Sequence, residues 1–205
     1  RQDGACSPID GRTLMTTNYA KSYLAPPIWV LAIAVSAANV GISLLSPAIP
    51  QLRDDLMVTS DEAQLVLSAF LIMLGVGQLI AGSLSDRIGR RPVLVYGSLL
   101  FLLSGLGALF STSIEMLVAM RIFQGLGAAT CMAMGRVIIS DSFQRAEAGR
   151  QMSTITMFQS VVPLLGFAFG GVMADLVGWR GSVGLMVVTA AIVFLLSLIH
   201  ISEPT

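Results

Sequence analysis

The sequence predicts an all-α integral membrane protein with six transmembrane helices, and three observations support this. Of 205 residues, 55% are hydrophobic and only 12% are charged, about half the charge of a soluble domain. The mean hydropathy is +0.81. Six spans of about 20 residues need about 120 mostly apolar positions, and the chain has enough apolar residues to fill them. The same composition excludes a soluble enzyme, a disordered chain and a nucleic-acid-binding domain, and makes the lipid bilayer the first partner.

The spans follow in order. The first runs from about Ile28 to Ser46, entered through Pro26-Pro27 and left at Pro47 and Pro50. The second starts near Glu62, behind a Thr59/Glu62 capping box, and reaches Leu84. The third opens at Pro92, since proline suits a first helical turn, and ends near Phe110. The fourth covers Ile114 to Ile139, the fifth about Gln151 to Leu176, and the sixth Ser182 to Ile199. Short connections imply that successive helices are antiparallel neighbours. Residues 1–27 form a polar N-terminal segment, 28–199 the transmembrane domain and 200–205 a tail. Residues 1–14 read as upstream sequence ahead of a start at Met15. The closing string from Leu198 to Thr205 resembles a translated sequencing-adaptor tail, so the expectation is a fragment with an artefactual end.

Charge placement gives the orientation. Arg1, Arg12, Lys21, Arg87, Arg90, Arg91, Arg136, Arg145 and Arg150 fall on one side, Arg53 and Arg180 on the other, and Arg121 inside the membrane. The positive-inside rule puts both termini in the cytoplasm of a multi-pass protein. Trp29 and Trp179 fall at span ends, where aromatic rings anchor at the interface. Cys6 and Cys131 sit in unlike surroundings, which argues against a disulfide framework. The single histidine, His200, leaves no metal-ligand cluster or intramembrane Ser/His pair. Neither a metal nor a cofactor is implied, and the chain does not read as an enzyme.

Several residues stand out on their own chemistry. Gly82-Ser83-Leu84-Ser85-Asp86-Arg87-Ile88-Gly89-Arg90-Arg91-Pro92 is a tight interhelical turn with an acid among three arginines. Arg121 lies about 9 Å inside Glu115 along the fourth helix. A charge there costs ~2.5–3.5 kcal/mol on insertion scales, so it either snorkels outward or faces a wet cavity. Gln124 shares its face. Ser36, Asn39, Ser43 and Ser46 form a narrow polar stripe on the first helix, which either bonds a neighbouring helix or lines an aqueous cavity. Pro163 removes a helix hydrogen bond, and Gly166 and Gly170 form a GxxxG packing pair. Ser153, Thr156 and Ser160 share a face suited to helix–helix bonding.

The turn motif, in its place between the second and third spans, resembles the signature loop of the major facilitator superfamily. The run Arg121-Ile122-Phe123-Gln124-Gly125-Leu126-Gly127-Ala128-Ala129 resembles the fourth-helix motif of its proton-coupled drug exporters. Gly41 to Pro50 is similar to the first-helix end of bicyclomycin-resistance-like exporters, with Ser43 where those have aspartate. Pro163 to Gly171 resembles the antiporter motif, with Phe167 in place of its proline, and Gly178-Trp179-Arg180 fits the same branch.

The resemblance implies the N-terminal six-helix half of a twelve-helix transporter in a bacterial inner membrane, exporting drugs or small metabolites by proton antiport with alternating access. It implies a small-molecule substrate, protons as coupling ions and a missing C-terminal half. Gly82, Asp86, Arg87, Gly89, Arg90 and Arg91 form the conformational latch, with Asp86 facing a helix N-terminus of the second half and Arg90 paired with Asp141. Arg121, Gln124, Asn39 and Ser43 line the substrate or proton pathway. Pro163, Gly166, Gly170, Gly171 and Gly125 govern helix kinking and packing. No acid lies between Lys21 and Asp54. That leaves open a proton-independent facilitator of the same fold, and a six-helix protein acting as a dimer or scaffold is the reading from outside it.

Overall fold

A computed structural model describes residues 27–200. The expectations for Cys6, Arg1, Arg12, Lys21, the upstream read-through and the residues from 201 on lie outside the described residues. Helix α1 spans Ile28–Ser43, a 3-10 turn Ser46–Ala48, α2 Ile49–Leu56, α3 Ser60–Ile88, α4 Arg90–Leu109, α5 Ile114–Ser142, α6 Arg145–Val177 and α7 Trp179–His200. Six of the helical stretches are long and apolar enough to cross a membrane, with α1 and α2 together forming the first.

The first span does not stop at its prolines. Pro47 and Pro50 each occupy the first turn of a new helical segment, where the missing N–H breaks no hydrogen bond. The chain therefore stays helical to Leu56 and ends where Met57 turns left-handed at φ +51°. The capping box forms as read: Glu62 N–H donates to Thr59 Oγ1 at 3.3 Å and Thr59 N–H to Glu62 Oε2 at 2.8 Å. Helices α3 and α6 run longer than their apolar cores because charged and polar end turns stay helical beyond them. A single glycine reverses the chain in two places: Gly89 at φ +93° between α3 and α4, and Gly178 at φ +83° between α6 and α7. A side chain is strained in that conformation.

The packing order departs from chain order. The most extensive interfaces are α3 with α5 and α4 with α5, followed by α4 with α7 and α1 with both α5 and α6, while α3 touches its successor α4 only lightly. The reason lies in where the small residues fall. Three glycines of α5 face three different helices. A Cβ on Gly125 would lie 2.6 Å from the Phe70 carbonyl of α3, and one on Gly127 would lie 2.6 Å from Phe101 N of α4. One on Gly135 would collide with Val35 of α1. Helix α5 is thus the hub. Helix α6 fully buries only Ile155, Gly166, Gly170 and Ala174, and a Cβ on Gly166 or Gly170 would strike Ser43 at the end of α1 or Leu44 just after it. Gly171 has more room, with only Pro47 Cβ at 3.9 Å. The remaining faces of α3 and α6 expose large apolar side chains, among them Ile72, Leu79, Leu164 and Phe169. Such faces belong against lipid or another protein surface.

Two expectations change. Trp179 is 2% exposed and donates Nε1–H to Asp55 Oδ2 at 2.8 Å. It therefore ties α7 to α2, whereas Trp29 remains 47% exposed. The Ser153, Thr156 and Ser160 hydroxyls bond the carbonyls of Gly149, Met152 and Thr156 in their own helix, a local alternative always within reach of short side chains.

Gly170→Val should lower stability by about 1–3 kcal/mol through overpacking against Leu44, while Gly171→Ala should be close to neutral. Thermal unfolding of the detergent-solubilised protein measures both. Equal midpoints would show that α6 is not held at Gly170.

Candidate functional site

Polar groups link the helices at both ends of the bundle and at two places between. At the end carrying the α3–α4 turn, Gly89 places Arg90 at the first position of α4. Its Nη1 bonds Asp86 Oδ1 and, at 2.7 Å, Ser85 Oγ, while its Nε reaches Asp141 Oδ2 on α5 at 3.2 Å. The Arg90 side chain is 34% exposed, Asp141 55% and Asp86 70%. Partly exposed pairs of this kind are worth about 0.2–1 kcal/mol each, so the cluster can break and re-form. Ser85, which the sequence reading did not single out, is 2% exposed and donates to the Gly82 carbonyl at 2.8 Å. Arg87 and Arg91 join no ion pair among the described residues, and a Cβ on Gly82 would meet nothing within 4 Å.

Within the bundle, Arg121 has no exposed surface. It donates Nη2–H to the Gly41 carbonyl of α1 at 2.8 Å, Nε–H to the Val66 carbonyl of α3 at 3.4 Å and Nη1–H to Gln124 Oε1 at 2.8 Å. Nη1 also lies 3.5 Å from Met186 Sδ of α7, and the guanidinium sits 4.7 Å from the Phe70 ring centroid, a cation–π arrangement. The Gly41 acceptor exists because α1 ends at Ser43, so its last carbonyls lack intrahelical donors. Gln124 is likewise fully buried, with its Nε2 unpaired beneath Gly105. Arg121 and Gln124 thus meet as the sequence suggested, enclosed among four helices.

Asn39 and Ser43 both face α6. Ser43 is 1% exposed, donates to the Asn39 carbonyl at 2.7 Å and packs against Gly166. Asn39 Nδ2 donates to the Gln159 carbonyl at 3.3 Å. That carbonyl is available because Pro163, four residues on, has no N–H to give it. Gln159 Oε1 in turn accepts from Arg136 Nη2 of α5 at 3.2 Å. Gln159 and Arg136 were absent from the expected site. The proline four residues after Gln159 was the signal that could have pointed to it.

The opposite end is closed by a second cluster. Asp55 Oδ2 accepts from Trp179 Nε1 and from Arg180 Nη1 at 2.8 Å each, and Arg180 Nη2 reaches the Ser111 carbonyl at 3.2 Å. The Arg180 guanidinium lies 4.3 Å from the Trp179 ring centroid. Among the described residues, no three His, Cys, Asp or Glu side chains gather where they could hold a metal ion.

Substitutions at two positions test this geometry. Ser43→Asp should destabilise strongly, because an unpaired carboxylate would be buried against Gly166. A variant as stable as the parent would mean the position opens to water. Arg121→Ala should cost about 1–3 kcal/mol for the Gly41 carbonyl it leaves unpaired, and Arg121→Lys should recover only part of that, because an ammonium reaches fewer of the acceptors. Unfolding midpoints in detergent read both.

The comparisons with known proteins agree with this architecture. The chain is 32% identical over 173 residues to a chloramphenicol resistance protein of Pseudomonas aeruginosa, covering 82% of this chain and 40% of that protein. It is 32% identical over 166 residues to multidrug resistance protein D of Escherichia coli strain K12, covering 80% and 42%. It therefore spans less than half the length of these curated relatives. Among solved structures, a peptide transporter POT matches with a TM-score of 0.77 at 14% identity over 88% of this chain and 41% of that one. The D-xylose–proton symporter matches with 0.74 at 18% identity, over 86% and 48%. The six helices correspond to one half of that fold. Residues 31–205 match the family model described as Major Facilitator Superfamily, and the chain belongs to that superfamily of membrane transporters.

Proposed function

We propose that the protein works as a secondary active exporter of drugs or small metabolites, in which this six-helix unit rocks against a second one. The supporting observation is the Arg90 cluster. It joins the α3–α4 turn to the end of α5 through Asp86 and Asp141, using partly exposed pairs weak enough to exchange partners. In this reading the cluster faces the cytoplasm of a bacterial inner membrane, since Arg87, Arg90, Arg91, Arg145 and Arg150 gather at that end. The unpaired surroundings of Gly82 and the exposure of Asp86 leave room for a helix end of the second unit, whose dipole favours a carboxylate. The exposed apolar faces of α3 and α6 meet that unit and the lipid. The substrate passes near the midplane between the two units, as in transporters built from repeats.

Arg121 and Gln124 act from inside this unit. Their hydrogen bonds hold α1, α3, α5 and α7 in one arrangement, so a proton pathway through them opens only when those bonds are exchanged. Relatives that this chain matches are named multidrug and chloramphenicol resistance proteins, which supports export of such compounds. One observation favours a second reading, transport without a proton: every described acid lies at a helix end, and none lies within a span.

Expression of the whole reading frame that carries this chain, in cells stripped of their own exporters, tests the proposal. Asp86→Asn and Arg90→Ala should each lower drug efflux several-fold while leaving membrane insertion normal. Wild-type efflux in both variants would remove the latch role. Efflux that persists after the proton gradient is collapsed would select the proton-independent reading.

A further inference from the structure

The described part of the bundle carries two guanidiniums away from its ends and no carboxylate to match them. Arg121 has three oxygen acceptors, two main-chain carbonyls and an amide. Arg136 is different. It stands six residues before the end of α5 at Ser142, about 9 Å along the axis, and its side chain reaches back to Gln159. Gln159 lies fourteen residues into α6, about 21 Å from its start. The Arg136 side chain is half-buried, and its one hydrogen bond among the described residues goes to the neutral Gln159 Oε1. It forms no ion pair among them. The acids nearest in sequence on α5 and α6, Asp141 and Glu147, lie at helix ends, and Asp141 is taken by Arg90.

A half-buried guanidinium with a single neutral partner is incompletely compensated, because charged groups out of water need matching charge or several acceptors. The remaining N–H groups of Arg136 form a planar fork suited to two carboxylate oxygens. Gln159 Nε2 adds a donor that has no partner among the described residues. The neighbouring Asn39 is fixed in place because Pro163 frees the Gln159 carbonyl it binds. Three helices, α1, α5 and α6, therefore converge on one donor-rich patch.

We propose that Arg136, with Gln159 and Asn39, forms a subsite that binds the carboxylate of a small organic anion. This rests on the transporter reading above and narrows its substrate class to anionic or zwitterionic molecules, against the lipophilic cations that a carboxylate-lined cavity would take. Arg136 supplies the charge, Gln159 orients the guanidinium through its Oε1, and Asn39 holds Gln159 in register with α1.

The test uses the product of the whole reading frame, purified in detergent and titrated by calorimetry with three probes of similar size: benzoate, benzyl alcohol and benzyltrimethylammonium. Benzoate should bind best. Arg136→Gln should weaken it about tenfold or more, the size expected for losing a charge-assisted hydrogen bond. Arg136→Lys should recover part of the loss, and Gln159→Leu should give an intermediate effect if Arg136→Gln does not fold. Benzoate binding unchanged in Arg136→Gln, a preference for the cation, or binding of no probe would each overturn the proposal. Drug efflux by the same protein is scored separately, so an inert transporter and a wrongly assigned subsite give different results.

Discussion

A charged side chain with no exposed surface inside a membrane bundle must draw its acceptors from the surrounding helices, and Arg121 does so. Its acceptors are the main chains of α1 and α3, an amide on its own helix and a thioether on α7. Each partner constrains a helix. The Gly41 carbonyl is free only because α1 stops being α-helical at Ser43, so the break before the Pro47 turn and the burial of the arginine are two sides of one arrangement. The glycines of α5 then bring its neighbours close enough for a single guanidinium to reach them all. Without that close approach the arginine would be stranded in hydrocarbon.

The two ends of the bundle are joined differently. Around Arg90 the pairs are partly solvated and share one cation among Ser85, Asp86 and Asp141, which makes exchange inexpensive. At the other end, Asp55 is held by a buried indole as well as by Arg180. The indole body is removed from solvent, and parting it from Asp55 exposes apolar surface as well as breaking hydrogen bonds. The two ends therefore differ in kind: one is an ion-pair cluster alone, the other an ion pair backed by a buried indole.

Much of this was legible in the sequence. Long apolar runs and the Thr59/Glu62 box located the helices, the basic turn marked the place of Arg90, and its resemblance to the superfamily's signature loop implied the pairing with Asp141. The prolines misled because Pro47 and Pro50 were read as breakers, whereas each sits in a first turn. Packing order was hidden because it depends on which face of α5 each glycine occupies, and short loops do not decide that. Arg121 was conspicuous, but main-chain acceptors leave no mark in a sequence, so an open cavity and a closed clasp looked alike. The Trp179–Asp55 bond spans 124 positions and could not be paired in advance. The Asn39–Gln159 contact was foreshadowed by Pro163, through a carbonyl that a proline leaves unused.

The acceptors of Arg121 also carry a consequence for how the protein is made. Gly41 and Val66, its two main-chain acceptors, precede it in the chain, so both are synthesised and delivered to the bilayer before α5 emerges. The nascent arginine therefore enters beside carbonyls that are already waiting, and its insertion need not be borne by α5 alone. Met186 arrives last and closes the shell from α7. Biogenesis in this order makes the early helices a template for the span that carries the buried arginine.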